Sequence, residues 1–575
     1  MNILGISGSS MSPAACLMID GQLKSCVEEE RFVREKVARG RLPINAIRYC
    51  LNSQGLKMGD IDDIALAWDC AKYPEYMGEF LRSQEDIYPK KGILYRENEA
   101  QILKRYTPSI YLSNLNKALN AANLETIKEL TYFDHHKSHA ASSYYNSGFD
   151  RSLIFIMDGS GEDRATTIWL GEGERLTEIR EFKLPHSLGR AYSSITEFLG
   201  FRAYTDEGKV MGLAPYGRFD GKIDQALRRL IIIKDNGDYE INPDLMYYGN
   251  HTYNERFTDE LAGLLGEPRR VIHKNEPIKE HYKNIAWSVQ NLLEEVVSGL
   301  VRRYIKESGV RNVCVGGGVA MNCKMNGVIS KMSEVDGFFV HPASHDGGVC
   351  IGSAILSQKR LTPSINIKKT THSYYGSSYE IDQIKDVLKY AKLTYKEESN
   401  PAPIIAQYLK EGKVAALFQG RMEIGPRALG NRSILASPLL SDTKQLLNNH
   451  VKGREDWRPF CPSILEEYGE QYFEALKNPW YMAVAVKVKG DKAGLIPSAV
   501  HVDGTARPQF VRRVDNPLFW EIINEFYKIT GVPVIINTSF NIMGEPIINT
   551  PQEAVRCFYS TGIDILLMER FILMK

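Results

Sequence analysis

The chain has 575 residues, 43% of them hydrophobic and 25% charged, with a formal net charge of +1. That length exceeds one ordinary core and predicts two large domains. A charge near zero excludes a global field for nucleic acid or an anionic membrane, so any basic site must be local.

The N-terminal MNILGISGSS has no basic segment leading into a long apolar one, and no later apolar run reaches membrane-spanning length. A soluble, cytoplasmic protein with no membrane partner is expected. Nine cysteines without a CxxC pair read as reduced thiols filling small apolar positions, and none is assigned a catalytic role.

In chain order, Ile3 to Ile6 reads as a strand, Ser7 to Ser12 as a Gly/Ser turn and Ala15 to Ile19 as a second strand. A turn at Asp20-Gly21 leads to a third strand entering Glu28-Glu29-Glu30. The pattern returns at Ser152 to Trp169, where LIFIMD meets Gly159-Ser160-Gly161-Glu162 and ATTIWL follows. The N-terminal region therefore reads as duplicated.

Between Lys279 and Lys306, the residues Ile285, Val289, Leu292, Val296, Leu300 and Tyr304 keep a helical stripe, which predicts a core-facing helix. It leads to a strand-turn-helix, Asn312 to Ile329, through Gly316-Gly317-Gly318. Two duplicated halves with glycine turns predict an actin-like nucleotide-binding α/β fold. The polar stretch after Leu356 puts a boundary near 360–372, dividing the chain into 1–360 and 361–575. The second part, with a helix around Ile381 to Ala391 and strands at Val414–Phe418, Val534–Ile536 and Asp564–Met568, reads as a further α/β or α+β domain.

Chemistry is concentrated in a few motifs. His135 and His139 in DHHKSHAA stand four apart, so on a helix they share a face and could chelate one divalent ion, or serve only as capping or surface histidines. Asp158 in MDGSGE and Asp346 in HDGG lie in glycine-flanked turns; added to the histidines they would make a mixed N/O site suited to iron, zinc or manganese. The glycines at 316–318 can offer bare amides to an anion. Arg421, Arg427 and Arg432, then Lys452, Arg454 and Arg458, are interleaved with Gly, Pro and aromatics, a setting that fixes guanidinium forks for phosphate or carboxylate. The segments VDGTARPQ and NTSFN add polar groups, the latter at a strand end.

Taken together, EEERF with Lys36, DHHKSHAAS, MDGSGE, DEGKVMGLAPYG, GGGVAMNC, HDGG, GRMEIGPRALGNRSIL, VKGREDWRPFCPS, VDGTARPQ and NTSFNIMGEPI resemble the NodU/CmcH-type O-carbamoyltransferases over nearly the whole chain. The resemblance implies a Kae1-like, actin-type first domain and a YrdC-like second one. The second would form carbamoyl adenylate from carbamoyl phosphate and ATP with Mg2+. The first would pass the carbamoyl group to a hydroxyl of a small-molecule acceptor, as in antibiotic or other secondary-metabolite biosynthesis. By the same resemblance His135, His139, Asp158 and Asp346 hold Fe2+ or another divalent metal, and Lys36, Gly317, Gly318 and Asn322 contact the adenylate in the first domain. Arg427, Lys452, Arg458, Ser463, Arg507, Asn537, Ser539 and Asn541 hold ATP and carbamoyl phosphate, with Arg507 catalytic. Asp206 is a candidate for acceptor contact or proton removal, and Lys209 for a phosphate.

Two departures stand out. Ser10 occupies the place of the family's usual histidine, and Pro508 and Phe510 in the ARPQF stretch are a smaller departure that leaves Arg507 and Gln509 intact. Residues 70–130 and 235–275 are expected to shape the acceptor pocket. The alternatives are a tRNA threonylcarbamoylation-type enzyme, disfavoured by the absence of a basic stripe, and a transfer-inactive ligand-binding homologue. No nucleic-acid partner is expected; a homodimer is compatible with the sequence.

Overall fold

The computed structural model describes residues 1–8, 11–87, 92–247, 256–271 and 276–575. Ser10 lies outside the described residues, as do 88–91, 248–255 and 272–275 of the expected acceptor-pocket segments. The chain forms two compact units: Met1–Lys24 with Arg39–Lys369, and Ser25–Ala38 with Thr370–Lys575. The short segment Ser25–Ala38 thus belongs with the second unit. Among the described residues no helix is long and apolar enough to cross a membrane.

The first unit is built on two five-stranded sheets with the same plan. β1 (Asn2–Ile6), β2 (Ala14–Ile19), β3 (Gln22–Glu28), β4 (Asp63–Leu66) and β5 (Thr131–Tyr132) are ordered β3-β2-β1-β4-β5, with β1 antiparallel to β2 and parallel to β4. After β6 (Arg151–Gly161), β7 (Arg164–Glu172) and β8 (Arg175–Lys183) comes a small hairpin, β9 (Ile231–Ile233) with β10 (Tyr239–Ile241). Then β11 (Asn312–Gly316) and β12 (Gly337–Val340) complete the order β12-β11-β6-β7-β8, in which β6 is antiparallel to β7 and parallel to β11. Each half is a three-stranded meander extended by two parallel strands, so the duplication read from the repeated glycine turns is present in the topology.

The helix expected over 279–306 spans Glu280–Ser308 and ends at Gly309, whose φ of +70° closes the last turn through its N–H to Ile305 O. All six stripe residues are buried, at about 1.5–3 kcal/mol each for the large apolar side chains.

The last strand of each half runs into a helix, His135–Ser147 after β5 and Asp346–Leu361 after β12. These two helices pack face to face. At Gly352 any side chain would overlap the backbone of Ser138, so the close crossing depends on a residue without a Cβ. Because the two helices hold equivalent places in the two halves, the duplication brings their N-terminal ends together.

The second unit carries one mixed eight-stranded sheet, ordered β13-β22-β21-β14-β15-β20-β16-β19. Its strands are β13 (Lys396–Glu397), β14 (Ala415–Phe418), β15 (Arg432–Ala436), β16 (Cys461–Leu465), β19 (Gln509–Val511), β20 (Val534–Ser539), β21 (Ile565–Met568) and β22 (Phe571–Met574); β17 (Val486–Lys487) and β18 (Thr505–Ala506) form a separate ribbon. Successive side chains alternate across the sheet. Ile464, Val534 and Ile536 enter one apolar core, whereas Leu465, Val511 and Ile535 enter the other. A sheet buried on both faces accounts for the continuous apolar runs at Val534–Ile536 and Ile565–Met568.

Candidate functional site

In the first unit Asp134 caps the His135–Ser147 helix by accepting from Lys137 N at 2.7 Å. One helical turn then sets His135 and His139 on the same side, facing Asp158 at the β6 end and Asp346 at the start of its helix. The ligand atoms of the four residues lie within 4.8 Å of one another. His135 Nε2 is 3.2 Å from Asp158 Oδ2 and 3.8 Å from Asp346 Oδ1; His139 Nε2 is 3.4 and 3.7 Å from the same oxygens.

The hydrogen bonding of His135 decides what can sit there. Its Nδ1 is 3.2 Å from Ala67 O, and a carbonyl can only accept, so Nδ1 carries the proton. A neutral ring would then present the Nε2 lone pair to two carboxylates, which is favourable only with a cation between them. Neither ring nitrogen of His139 has a hydrogen-bond partner among the described residues, although the ring is buried. Burial opposes charge on His139, yet Asp158 and Asp346 outweigh it and raise its pKa to about 9. These donors fit a divalent ion, which would supply the positive charge that the ring otherwise must. His136 points elsewhere, to Thr167 Oγ1 at 3.0 Å, and burial lowers its pKa to about 3.

Glu162, four residues after Asp158 on the same turn, is a site residue that motif reading passed over. Its buried carboxylate accepts from Asp69 N at 2.8 Å and His135 N at 3.3 Å. It thereby ties the start of the histidine helix to the loop whose Ala67 carbonyl orients His135. Burial raises its pKa to about 7.

The glycine turn serves this centre. Gly318 N donates to Asp158 Oδ1 at 3.2 Å, and Gly317 N donates to Ser344 O at 2.9 Å. Gly317 has φ +84°, and a Cβ there would overlap Met157 O. Gly317→Ala is expected to lower stability by about 2–4 kcal/mol through combined strain and overlap; chemical denaturation measures it. Asn322 caps the helix Cys323–Lys331 through Met325 N and exchanges hydrogen bonds with Gln290. Asp206 and Lys209 pair with each other at 3.1 Å.

Lys36 departs from its expected place. It lies on Ser25–Ala38, in the second unit, where its charge helps lower the pKa of Lys452. The same segment braces the loop of Arg427. Fully buried Arg31 donates to Gly425 O at 2.8 Å, and Glu28 accepts from Gly425 N at 2.7 Å. From the other side buried Glu423 accepts from Leu429 N and Asn431 N, both at 2.7 Å.

Two of the basic residues in these motifs are engaged by backbone carbonyls. Arg432, expected as a phosphate fork, is buried on the Phe418 ring and bonds the carbonyls of Gln419, Asn431 and Ser377. Arg421 likewise donates to Tyr375 O at 2.6 Å. Both brace the loop; Arg432, fully buried, has to satisfy its donors locally.

Strand register gathers the remaining polar residues. Cys461 pairs with Asn537, and Ser463 pairs with Gln509 and Ile535. Cys461, Ser463, Gln509 and Asn537 therefore share one face. Ser463 Oγ donates to Gln509 Oε1 at 2.7 Å, and Asn537 Nδ2 lies 3.1 Å from each of these oxygens. Asn537 Oδ1 is buried with no hydrogen-bond partner among the described residues. Lys452 donates to Ser539 O and Asn541 O, both at 2.7 Å, and to Asn541 Oδ1 at 2.9 Å, while Ser539 Oγ donates to Asn541 Oδ1 at 2.6 Å.

Burial first, then Arg454, Arg458 and Lys36, push the Lys452 pKa down; burial, Arg458 and Arg507 do the same to Arg454. Several cations crowd together at a cost that an anion would relieve.

The whole chain has relatives. The carbamoyltransferase N-terminus family model matches residues 2–355 and the carbamoyltransferase C-terminus model matches 406–575. An uncharacterized protein of Synechocystis sp. is 34% identical over 100% of this chain and 97% of its own. The nodulation protein NolNO of Sinorhizobium fredii is 33% identical over 98% of this chain and 78% of its own. Among solved structures, component A of the (R)-2-hydroxyglutaryl-CoA dehydratase of Acidaminococcus fermentans aligns at a TM-score of 0.34 and 13% identity, covering 63% of this chain and 98% of that one.

Proposed function

The chain belongs to the carbamoyltransferase family, and from that premise we propose that it is an ATP-dependent O-carbamoyltransferase acting on a small-molecule hydroxyl. The second unit, read as YrdC-like, forms carbamoyl adenylate from carbamoyl phosphate, ATP and water with Mg2+: hydrolysis releases inorganic phosphate and leaves carbamate, whose oxygen attacks the α-phosphorus of ATP and displaces pyrophosphate. The first, read as Kae1-like, transfers the carbamoyl group. One observation carries the reading: a single chain holds a converging, largely buried His/Asp donor set in one unit and a crowded group of cations in the other.

In the second unit Arg507, Arg458, Arg427 and Lys36 receive the phosphate charges. Lys452 acts on the strand end, locking Ser539 and Asn541 in place. Asn537 Oδ1, a buried acceptor without a partner, suits the amide N–H of a carbamoyl group. Fixed cations spare the reorganisation that water would need as pyrophosphate leaves.

In the first unit His135, His139, Asp158 and Asp346 hold Fe2+ or another divalent ion, which when bound supplies a Lewis acid for a carbonyl or phosphoryl oxygen. Gly318 N and Glu162 keep Asp158 and His135 oriented. Lys209 is assigned to a phosphate and Asp206, its partner, to acceptor contact or proton removal. The cellular place assigned is the cytoplasm, in keeping with nine free cysteines.

The test is incubation of the metal-loaded protein with ATP, labelled pyrophosphate and carbamoyl phosphate. Label is expected to enter ATP only when carbamoyl phosphate is present. No exchange would end the activation reading.

A further inference from the structure

All nine cysteines are free and buried, yet one of them touches the cation group. Arg507 Nε and Nη2 both donate to Cys461 Sγ, at 3.2 and 3.0 Å. Two N–H bonds converging on one atom fix the plane of the guanidinium. The placement follows from the sheet: Cys461 opens β16, Asn537 is its cross-strand partner on β20, and Arg507 stands two residues before Gln509 of β19. The sulfur therefore meets Arg507 on the strand face that also carries Asn537.

We propose that Cys461 is a positioning residue for Arg507. Its physical merit is weakness. A thiol is a poor hydrogen-bond acceptor, so it orients the guanidinium without neutralising it. A carboxylate at the same place would pair with Arg507 and compete with an incoming phosphate oxygen. Burial sharpens this difference, since Cys461 is almost fully enclosed and a charge there would be poorly screened. The inference rests on the reading that Arg507 binds an anionic co-substrate.

Pyrophosphate binding, measured by calorimetry on the full-length protein, gives a readout independent of turnover. Cys461→Ala is expected to weaken pyrophosphate about tenfold, the effect of losing one oriented charge-assisted contact. Cys461→Ser, which keeps an acceptor, should remain within about threefold, and Cys461→Asp should lose binding altogether. Thermal melting of each variant separates this from unfolding. In an Arg507→Ala background, Cys461→Ala should add less than about twofold, because the sulfur acts only through that arginine. Full additivity, or wild-type affinity in Cys461→Ala, overturns the proposal. Wild-type protein that binds pyrophosphate in this pattern but shows no exchange leaves Cys461 as a positioning residue and removes the activation reading instead. Wild-type protein that binds no pyrophosphate overturns both.

Discussion

Arg507→Ala is expected to reduce carbamoyl-phosphate-dependent ATP–pyrophosphate exchange by about 10²–10³-fold, the range for losing one preorganised donor to developing charge. The guanidinium is held in plane by Cys461 and lies close enough to Arg454 to depress its pKa. Removing it takes away both a directed donor and part of the local positive field. The metal donors lie in the other unit, so metal content should be unchanged, and elemental analysis of the same preparation checks this. Exchange within about threefold of wild type would remove Arg507 from the activation step. Arg507→Lys should recover only part of the loss, since an ammonium cannot reproduce the two-pronged geometry.

His139→Ala should do the reverse. Its ring has no hydrogen-bond partner among the described residues and lies between two carboxylates, so its removal deletes one of four donors and leaves Asp158 and Asp346 to repel each other with one fewer ring to offset their charge. Metal affinity is expected to fall by at least about 10²-fold, the upper end of what an outer-shell change alone produces. Carbamoyl transfer should fall with it, while exchange in the second unit stays within about twofold of wild type. Exchange is also the control for folding, because it is measured on the same chain. Equal loss of exchange in both variants would contradict the division of labour between the units.

Some of this was legible in the residues. Local signals are carried by neighbours in sequence, and they proved reliable. The apolar stripe from Ile285 to Tyr304 made its helix, ending at Gly309. The repeated glycine turns marked two halves with one topology. The HxxxH spacing and two glycine-flanked aspartates picked out four residues whose donor atoms converge.

What the sequence by itself determined, then, was the set of chemical groups, the elements that carry them and the family. Which partners those groups find was decided only by the tertiary structure. Arg432 and Arg507 look alike in their motifs, but one is wrapped in backbone carbonyls and the other rests on a thiol. Lys36 follows β1 and β2 of the first unit in the chain and yet joins the second unit. Glu162 and Cys461 gain their roles from partners 27 and 46 residues away. The reason is physical: helices and turns are set by interactions within a few residues, whereas burial and strand register fix which distant donor meets which acceptor, and a buried polar group has to find that partner or pay the cost of its desolvation.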